Sequence, residues 1–178
     1  VDMTYMSFPQ MAQALLNDAI DGAFLTEPSL SKALTAGAAE IIAPDHVMFP
    51  NHQIAVTLFS ERFIKRDRKV AVGFMKAMLR GSRDYMSVVR DGRLTGPGAE
   101  EMIAILTEYS AIKDPQVYRS IGVHFCDPNG AIDTASLATD LAWFRKEGLI
   151  EGDVQIADAL DATIAAEAAG ELGPWKRP

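Results

Sequence analysis

The chain has 178 residues, of which 48% are hydrophobic and 23% are charged. This length can bury the core of one globular unit and is too short for several independent domains. A net charge of −7 disfavours a nucleic-acid partner, because a phosphate backbone is bound by clusters of basic side chains. Charged residues interrupt every apolar stretch well before about 18 residues, so the sequence predicts no membrane span.

The cysteine and histidine content restricts the covalent and metal chemistry of the chain. Cys126 is the only cysteine, which excludes an internal disulfide and a zinc site built from several thiolates. His46, His52 and His124 do not have the spacing of a helical metal motif, and the sequence predicts no metal and no cofactor. Val1 stands at the start of an apolar alternation without a preceding Met, so we interpret this N-terminus as a cut, with the natural start upstream.

Short apolar runs in the first third of the chain alternate with helix signals. The runs predict four strands, at residues 1–6, 23–25, 39–43 and 52–59. Ser7 and Pro9 are typical of a helix start and predict a helix to about Ile20. Thr26-Glu27-Pro28 opens a second helix in the same way. Strand, helix and strand in this order predict a small, mostly parallel sheet.

The remainder of the chain has helical periodicity. A long helix is expected from Asp67 to the turn at Asp91-Gly92, with Val70, Phe74 and Met78 along one side. Further helices are predicted at about residues 99–110, 115–121, 134–147 and 157–169. The predicted fold class is therefore α/β, with the sheet followed by a helix-rich C-terminal segment.

Four segments resemble the solute-binding proteins of the nitrate, sulfonate, taurine and thiamine-precursor ABC importers. They are Ala14 to Ala23 followed by Glu27-Pro28, the long helix after Phe63, Asp127-Pro128-Asn129-Gly130, and the terminal Leu172-Gly173-Pro174-Trp175-Lys176. The chain has Asp18 where members of this family usually have Gly, and Gly22 where they usually have Ala.

The resemblance implies a partial type II periplasmic binding-protein fold. In that fold, residues 1–51 would be part of the second, C-terminal lobe. Residues 52–178 would form the return strand and a helical segment that packs on both lobes, and the N-terminal lobe would be absent from this chain.

The resemblance also implies the function. The chain would capture a small polar or anionic organic solute, of sulfonate, nitrate, pyrimidine or aromatic acid type, in a two-lobed cleft and deliver it to a membrane permease. It would be periplasmic, or lipid-anchored outside the cytoplasm, and would not be an enzyme. Two alternatives remain open: an enzyme of the same fold related to thiamine-pyrimidine synthesis, and the ligand-sensing domain of a regulator.

In the implied fold the ligand lies near helix N-termini at the ends of parallel strands. This arrangement selects Ser7 and Phe8, then Thr26 and Glu27, as ligand-binding candidates. Asn51 and His52 are added because they precede the strand expected to return to the first lobe. Each candidate also has a plain structural explanation, as a helix cap, a hydrophobic staple or a structural histidine.

Two further groups of residues suggest chemistry and have a plainer explanation. His124 and Cys126 are two residues apart, as in a nucleophile pair, but a packed turn needs no such role. Trp143, Phe144 and Trp175 could form an aromatic cage, whereas the helical spacing of Phe144 indicates core packing.

The resemblance implies that neighbouring strands are missing from this chain, which predicts that its sheet is incomplete. A sheet without its neighbours exposes an edge and an apolar face, which favours self-association. We expect this surface at the strands starting at Val1 and Ala23 and at Phe74 and Met78 on the long helix. We also expect weak ligand affinity for this chain alone, because its cleft would lack one side.

Overall fold

The computed structural model describes residues 1–178, and 51% of them are helical. The ten helices are α1 (Phe8–Leu16), α2 (Ser29–Thr35), α3 (Asp45–Met48), α4 (Glu61–Arg66), α5 (Arg68–Val88), α6 (Ala99–Tyr109), α7 (Pro115–Ser120), α8 (Thr134–Lys146), α9 (Ile156–Ala159) and α10 (Thr163–Leu172). The two strands are β1 (Val89–Arg90) and β2 (Arg93–Leu94), which pair antiparallel.

The hairpin follows directly from its turn residues. Asp91 and Gly92 have φ angles of 50° and 71°, so both central residues of the turn are left-handed. A two-residue turn of this kind matches the twist of paired strands and favours Asp-Gly. The predicted turn at Asp91-Gly92 is confirmed, and it joins the only two paired strands of the structure.

The predicted fold class is wrong. None of the four predicted strands, at residues 1–6, 23–25, 39–43 and 52–59, is part of a sheet, and no parallel sheet exists. A mostly helical chain with one two-stranded hairpin is not a type II periplasmic binding-protein fold. The error has a physical reason: a strand needs a hydrogen-bonded partner, and a short apolar run alone does not specify one.

Most predicted helices are present, because their signals are local. Asp114 caps α7 by accepting a hydrogen bond from Gln116 N at 2.9 Å, and Gly148, with φ 69°, follows the end of α8. The structure differs at α1, which ends at Leu16 rather than at about Ile20, and at 157–169, where two shorter helices occur and Gly170 lies inside α10.

The chain divides into two compact units. Unit 1 comprises residues 1–43 and 88–124, and unit 2 comprises residues 44–87 and 125–178. The lobe assignment expected from the resemblance instead divides the chain between residues 51 and 52. That assignment concerns a larger, two-lobed protein and stays a prediction.

Unit 1 contains two small packed groups of elements. In one, α1 packs on α2 through Ala12, Leu15 and Ala33, which are buried. In the other, α6 and α7 pack on each other and on β2, and Ile103 and Tyr118 are buried there. Each group depends on few large side chains, so the packing of unit 1 is modest.

Unit 2 has a continuous core between α5 and α10. The buried members of this core are Ala71, Val72, Leu79, Ile164 and Ala168. Partly buried apolar side chains pack against this cluster: Phe59, Phe63, Ile64, Met75, Ala169 and Leu172. The helical spacing of Val72 and Leu79, seven residues apart on α5, places both on the face that meets α10.

Large apolar side chains remain on the surface. The predicted exposure is confirmed for Phe24, Phe74 and Met78 and for the segment starting at Val1. Self-association through such residues stays a prediction. None of the helices has the length and apolar character needed to cross a bilayer.

Candidate functional site

His52 lies between two carboxylates in unit 2. Its Nδ1 is 3.2 Å from Asp45 Oδ1, and its Nε2 is 3.4 Å from Asp140 Oδ2. Asp45 is the first residue of α3, and Asp140 lies in the middle of α8. The imidazole therefore connects a loop to a helix 88 residues further along the chain.

The neighbouring residue fixes the same loop to the start of α8. Gln53 N donates to Ser136 Oγ at 2.9 Å, and Gln53 Oε1 accepts from Asp133 N at 3.0 Å. Asp133 is also the N-cap of α8, since its carboxylate accepts from Ser136 N. Asp133, Ser136 and Asp140 have the spacing of one helical face, and this face holds residues 52 and 53.

The electrostatics of this cluster favour positive partners. A carboxylate faces each of the two nitrogens of the His52 ring. Carboxylate oxygens accept hydrogen bonds and attract positive charge. The side chains of His52, Asp45 and Asp140 are 26%, 24% and 37% exposed, so a small solute can reach their edges.

An aromatic ring and a left-handed turn complete the surroundings of His52. The rings of Phe49 and His52 are 5.6 Å apart between centroids, and Phe49 is exposed. Asn51 has a φ of 63°, an angle that Asn tolerates better than most residues, and it is exposed. Of the six predicted site residues, the structure brings Asn51 and His52 together in this loop. We call Asp45, Phe49, Asn51, His52 and Asp140 the His52 site.

Ser7 and Phe8 lie at the start of α1 in unit 1. Ser7 N donates to Gln10 Oε1 at 2.9 Å, and Ser7 Oγ is 2.7 Å from the same oxygen. Phe8 is the first helical residue and is 45% exposed. Ser7 therefore has the contacts of a helix start, and nothing in its surroundings requires a ligand.

Thr26 and Glu27 lie before α2, also in unit 1. Glu27 accepts from Ser31 N at 3.1 Å through Oε2 and from Ser31 Oγ at 2.9 Å through Oε1. The Thr26 carbonyl accepts from Leu30 N at 3.0 Å. Both carboxylate oxygens of Glu27 thus cap the first turn of the helix, where its dipole also favours a negative charge.

The structure gives little support to a cysteine nucleophile. Burial raises the pKa of the Cys126 thiol, so the thiolate is disfavoured at neutral pH. Burial, and next the neighbouring Cys126, also raise the pKa of the Tyr85 phenol.

The aromatic residues considered for a cage do not form one within α8. Trp143 and Phe144 are in edge contact, with centroids 5.3 Å apart, and both are exposed. The core role predicted for Phe144 is wrong, since α8 has no buried residue.

Sequence reasoning missed Asp45, Asp140 and Ser136. The spacing of Asp133, Ser136 and Asp140 on one face of a predicted helix was available as a signal. Nothing in the sequence indicated which segment would contact that face. No group of three or more His, Cys, Asp or Glu side chains is placed to hold a metal ion.

A shallow groove of about 430 Å³ lies elsewhere, on unit 1, between α6 and α7. Ile103 and Ala104 form its apolar wall. At its edge Arg119 Nη2 donates to Glu100 Oε2 at 2.6 Å, and Arg119 Nε donates to Glu100 Oε1 at 3.1 Å. Glu100 therefore neutralises the one basic group that an anion could use there, and none of the six predicted residues lines this groove.

Comparisons of the chain with protein-family models, with curated proteins and with solved structures found no match.

Proposed function

We propose that the chain is the solute-binding component of an ABC importer and that it binds a small polar organic solute at the His52 site without converting it. The observation that carries the proposal is the double anchoring of this loop to α8, through His52 and Gln53. A binding site gains affinity when its polar groups are held in place before the ligand arrives. Here His52 contacts Asp45 and Asp140 beside the exposed ring of Phe49, and Gln53 holds the same loop on α8.

The charges of the site favour one of the four solute types. The carboxylates of Asp45 and Asp140 accept hydrogen bonds from ring N–H and amino groups, and they repel sulfonate, nitrate and carboxylate groups. Phe49 adds a ring on which a planar heterocycle can stack. An amine-bearing pyrimidine is therefore the preferred ligand class.

The transport role comes from the family resemblance, and two of the segments that carry this resemblance meet in unit 2. Arg83 on α5 donates from Nε to Pro128 O at 2.8 Å and from Nη2 to Asn129 Oδ1 at 3.0 Å. The same Nη2 donates to Gly173 O at 2.9 Å. One arginine thus joins Asp127-Pro128-Asn129-Gly130 to the terminal Leu172-Gly173-Pro174 segment, so two of the resembling motifs form one structural element.

The test is a ligand titration of the 178-residue chain followed by NMR on the His52 ring. Aminopyrimidines, an alkylsulfonate, nitrate and benzoate are added separately, because NMR also detects millimolar affinity. We expect the His52 resonances to shift with an aminopyrimidine and not with the anions. Solute recovered unchanged after incubation distinguishes binding from catalysis.

Asp140→Asn is the informative variant, since it removes one charge and keeps the shape. It should weaken aminopyrimidine binding at least about fivefold, the loss of roughly one charge-assisted hydrogen bond. Glu100→Gln is the matched control, because it removes an exposed carboxylate on unit 1. Equal losses in the two variants, or preferred binding of the anions, would contradict the site. Conversion of the solute would favour the enzyme alternative.

A further inference from the structure

Residues 54–59, between the His52 site and α4, form an unpaired strand-like segment of unit 2. Thr57 Oγ1 lies 3.3 Å from Met78 Sδ, and the Phe59 ring is 5.6 Å from that of Phe74, so these two residues contact α5. Ile54, Val56 and Leu58 are instead 66%, 44% and 84% exposed. Contacts at positions two residues apart are typical of extended chain.

The backbone of this segment is without partners along most of its length. No backbone hydrogen bond joins residues 54–59 to another backbone group, and only Ala55 O accepts, from Gln53 Nε2 at 2.7 Å. A row of free N–H and C=O groups beside apolar, β-branched side chains is an edge on which a further strand can pair.

We propose that the segment pairs antiparallel with the same segment of a second copy of this chain, with Val56 on the two-fold axis. Ile54 then stands opposite Leu58 of the partner subunit, and Val56 opposite Val56 of the partner subunit. A two-fold contact of this kind is closed and self-complementary. The proposal is argued from residues 54–59 and their flanking charges and not from the proposed solute, although it places a second copy beside the His52 site.

The charges at the two ends of the segment favour a second copy of this chain as the partner that pairs with it. The chain as a whole has a net charge of −7, so two copies repel each other in general. Residues 53–60 have no ionisable side chain, so this segment adds no repulsion of its own. The acidic residues Asp45 and Asp140 lie near its N-terminal end, at His52. On α4, which follows its C-terminal end, Glu61 is paired with Lys65 at 2.7 Å, and the exposed Arg62 and Arg66 add two positive charges.

The antiparallel orientation brings these opposite charges together. It places Ser60 opposite His52 of the partner subunit, so that the basic end of each copy faces the acidic end of the other. A parallel pairing would instead align acidic with acidic and basic with basic ends. Complementary charges of this kind fix register and orientation.

The experiment measures mass by light scattering and sedimentation for the full chain and two charge variants. We expect a dimer for the unmodified chain. Val56→Lys and Val56→Glu each place like charges opposite each other and should raise the dimer dissociation constant about tenfold or more. An equimolar mixture of the two variants should recover the dimer, since Lys then faces Glu.

Leu149→Lys and Leu149→Glu are the controls, because Leu149 is 60% exposed in unit 2 and lies outside the segment. They should leave the dissociation constant unchanged. A monomeric unmodified chain would overturn the proposal. So would a dimer that Val56→Lys leaves intact, or a mixture that stays monomeric.

A second variant is informative even where a charge disturbs folding. Val56→Cys in a Cys126→Ala background should form an intermolecular disulfide on mild oxidation, since residues on the axis of an antiparallel pair have Cα atoms about 4.5–5.5 Å apart. Leu149→Cys in the same background should not. Equal cross-linking at both positions would contradict the register.

Discussion

Arg83 Nη2 donates to the carbonyl oxygen of Gly173 at 2.9 Å, across a separation of 90 residues. The guanidinium also holds Pro128 and Asn129, so a single side chain on α5 joins three parts of unit 2. The planar fork of arginine makes this possible, because its donors point in fixed directions.

Arg83→Ala should lower the free energy of unfolding by about 2 kcal/mol, as it leaves three acceptors without their charged donor. Arg83→Lys should recover part of this loss, since an ammonium cannot reach all three acceptors at once. Urea unfolding measures both values. Arg80→Ala, on the exposed side of the same helix, is the control. If Arg83→Ala lowers the free energy of unfolding no more than Arg80→Ala does, the three hydrogen bonds of Arg83 do not stabilise the fold.

Gly130→Ala should destabilise more than Gly148→Ala. Both glycines have a positive φ, 72° and 69°, which costs an alanine about 1 kcal/mol or slightly more. A Cβ at Gly130 would also lie 3.1 Å from Leu79 Cδ2 and 3.2 Å from Ala165 Cβ, whereas one at Gly148 would meet nothing. We expect an extra loss of about 1 kcal/mol at Gly130 from this crowding, measured by thermal or urea unfolding. Equal losses of unfolding free energy in the two variants would mean that Leu79 and Ala165 move to accept the added methyl group at no cost.

Ile164→Ala should cost about 2–5 kcal/mol, because it empties space in the core between α5 and α10. Ile164 is only 2% exposed and belongs to the cluster with Val72 and Leu79. Leu149→Ala, at a largely exposed position, should change stability by less than about 0.5 kcal/mol. Unfolding of the two variants at the same denaturant concentration would contradict the assignment of this core.

Stability should fall with alkaline pH through Cys126 and Tyr85. Burial raises the pKa of both groups in the folded chain, so the folded state retains their protons more strongly than the unfolded state does. Their contribution is complete below the unfolded pKa values, about 8.5 for Cys and about 10 for Tyr, and is lost as pH rises through the folded values.

The variants Cys126→Ala and Tyr85→Phe each remove one of the two groups, and Cys126→Ala also removes the charge that helps to raise the pKa of Tyr85. Unfolding midpoints measured from neutral to strongly alkaline pH should fall less steeply above about pH 8.5 for Cys126→Ala, and above about pH 10 for Tyr85→Phe. If both variants show the same pH dependence as the unmodified chain, other groups cause the loss of stability at alkaline pH.

The helices could be predicted from the sequence because their determinants are neighbours in the chain. Asp114 lies two residues before the amide that it caps, and the spacing of Val72 and Leu79 shows which face of α5 is buried. The strands could not be predicted, because residues 23–25 or 39–43 contain no information about a distant partner. Residues 54–59 have the composition of a strand and no strand beside them.

The candidate site was predictable only in part for the same reason. The sequence indicates His52, but Asp140 is 88 residues away and no local pattern connects the two. The sequence also predicts Glu27 as a ligand contact, but both of its carboxylate oxygens accept hydrogen bonds from Ser31, four residues ahead. An acid before a helix looks the same in sequence whether it binds a solute or caps its own backbone.

The interleaved order of the two units has a consequence for synthesis of the chain. Residues 1–43 belong with residues 88–124, so the first segment leaves the ribosome without the second part of its unit. At 5–20 residues per second, translation of residues 44–124 takes about 4–16 s, during which α1 and α2 have only each other. Phe24 and Leu16 remain exposed in the finished chain, so a chaperone that binds apolar side chains can reach both of them during that interval and afterwards.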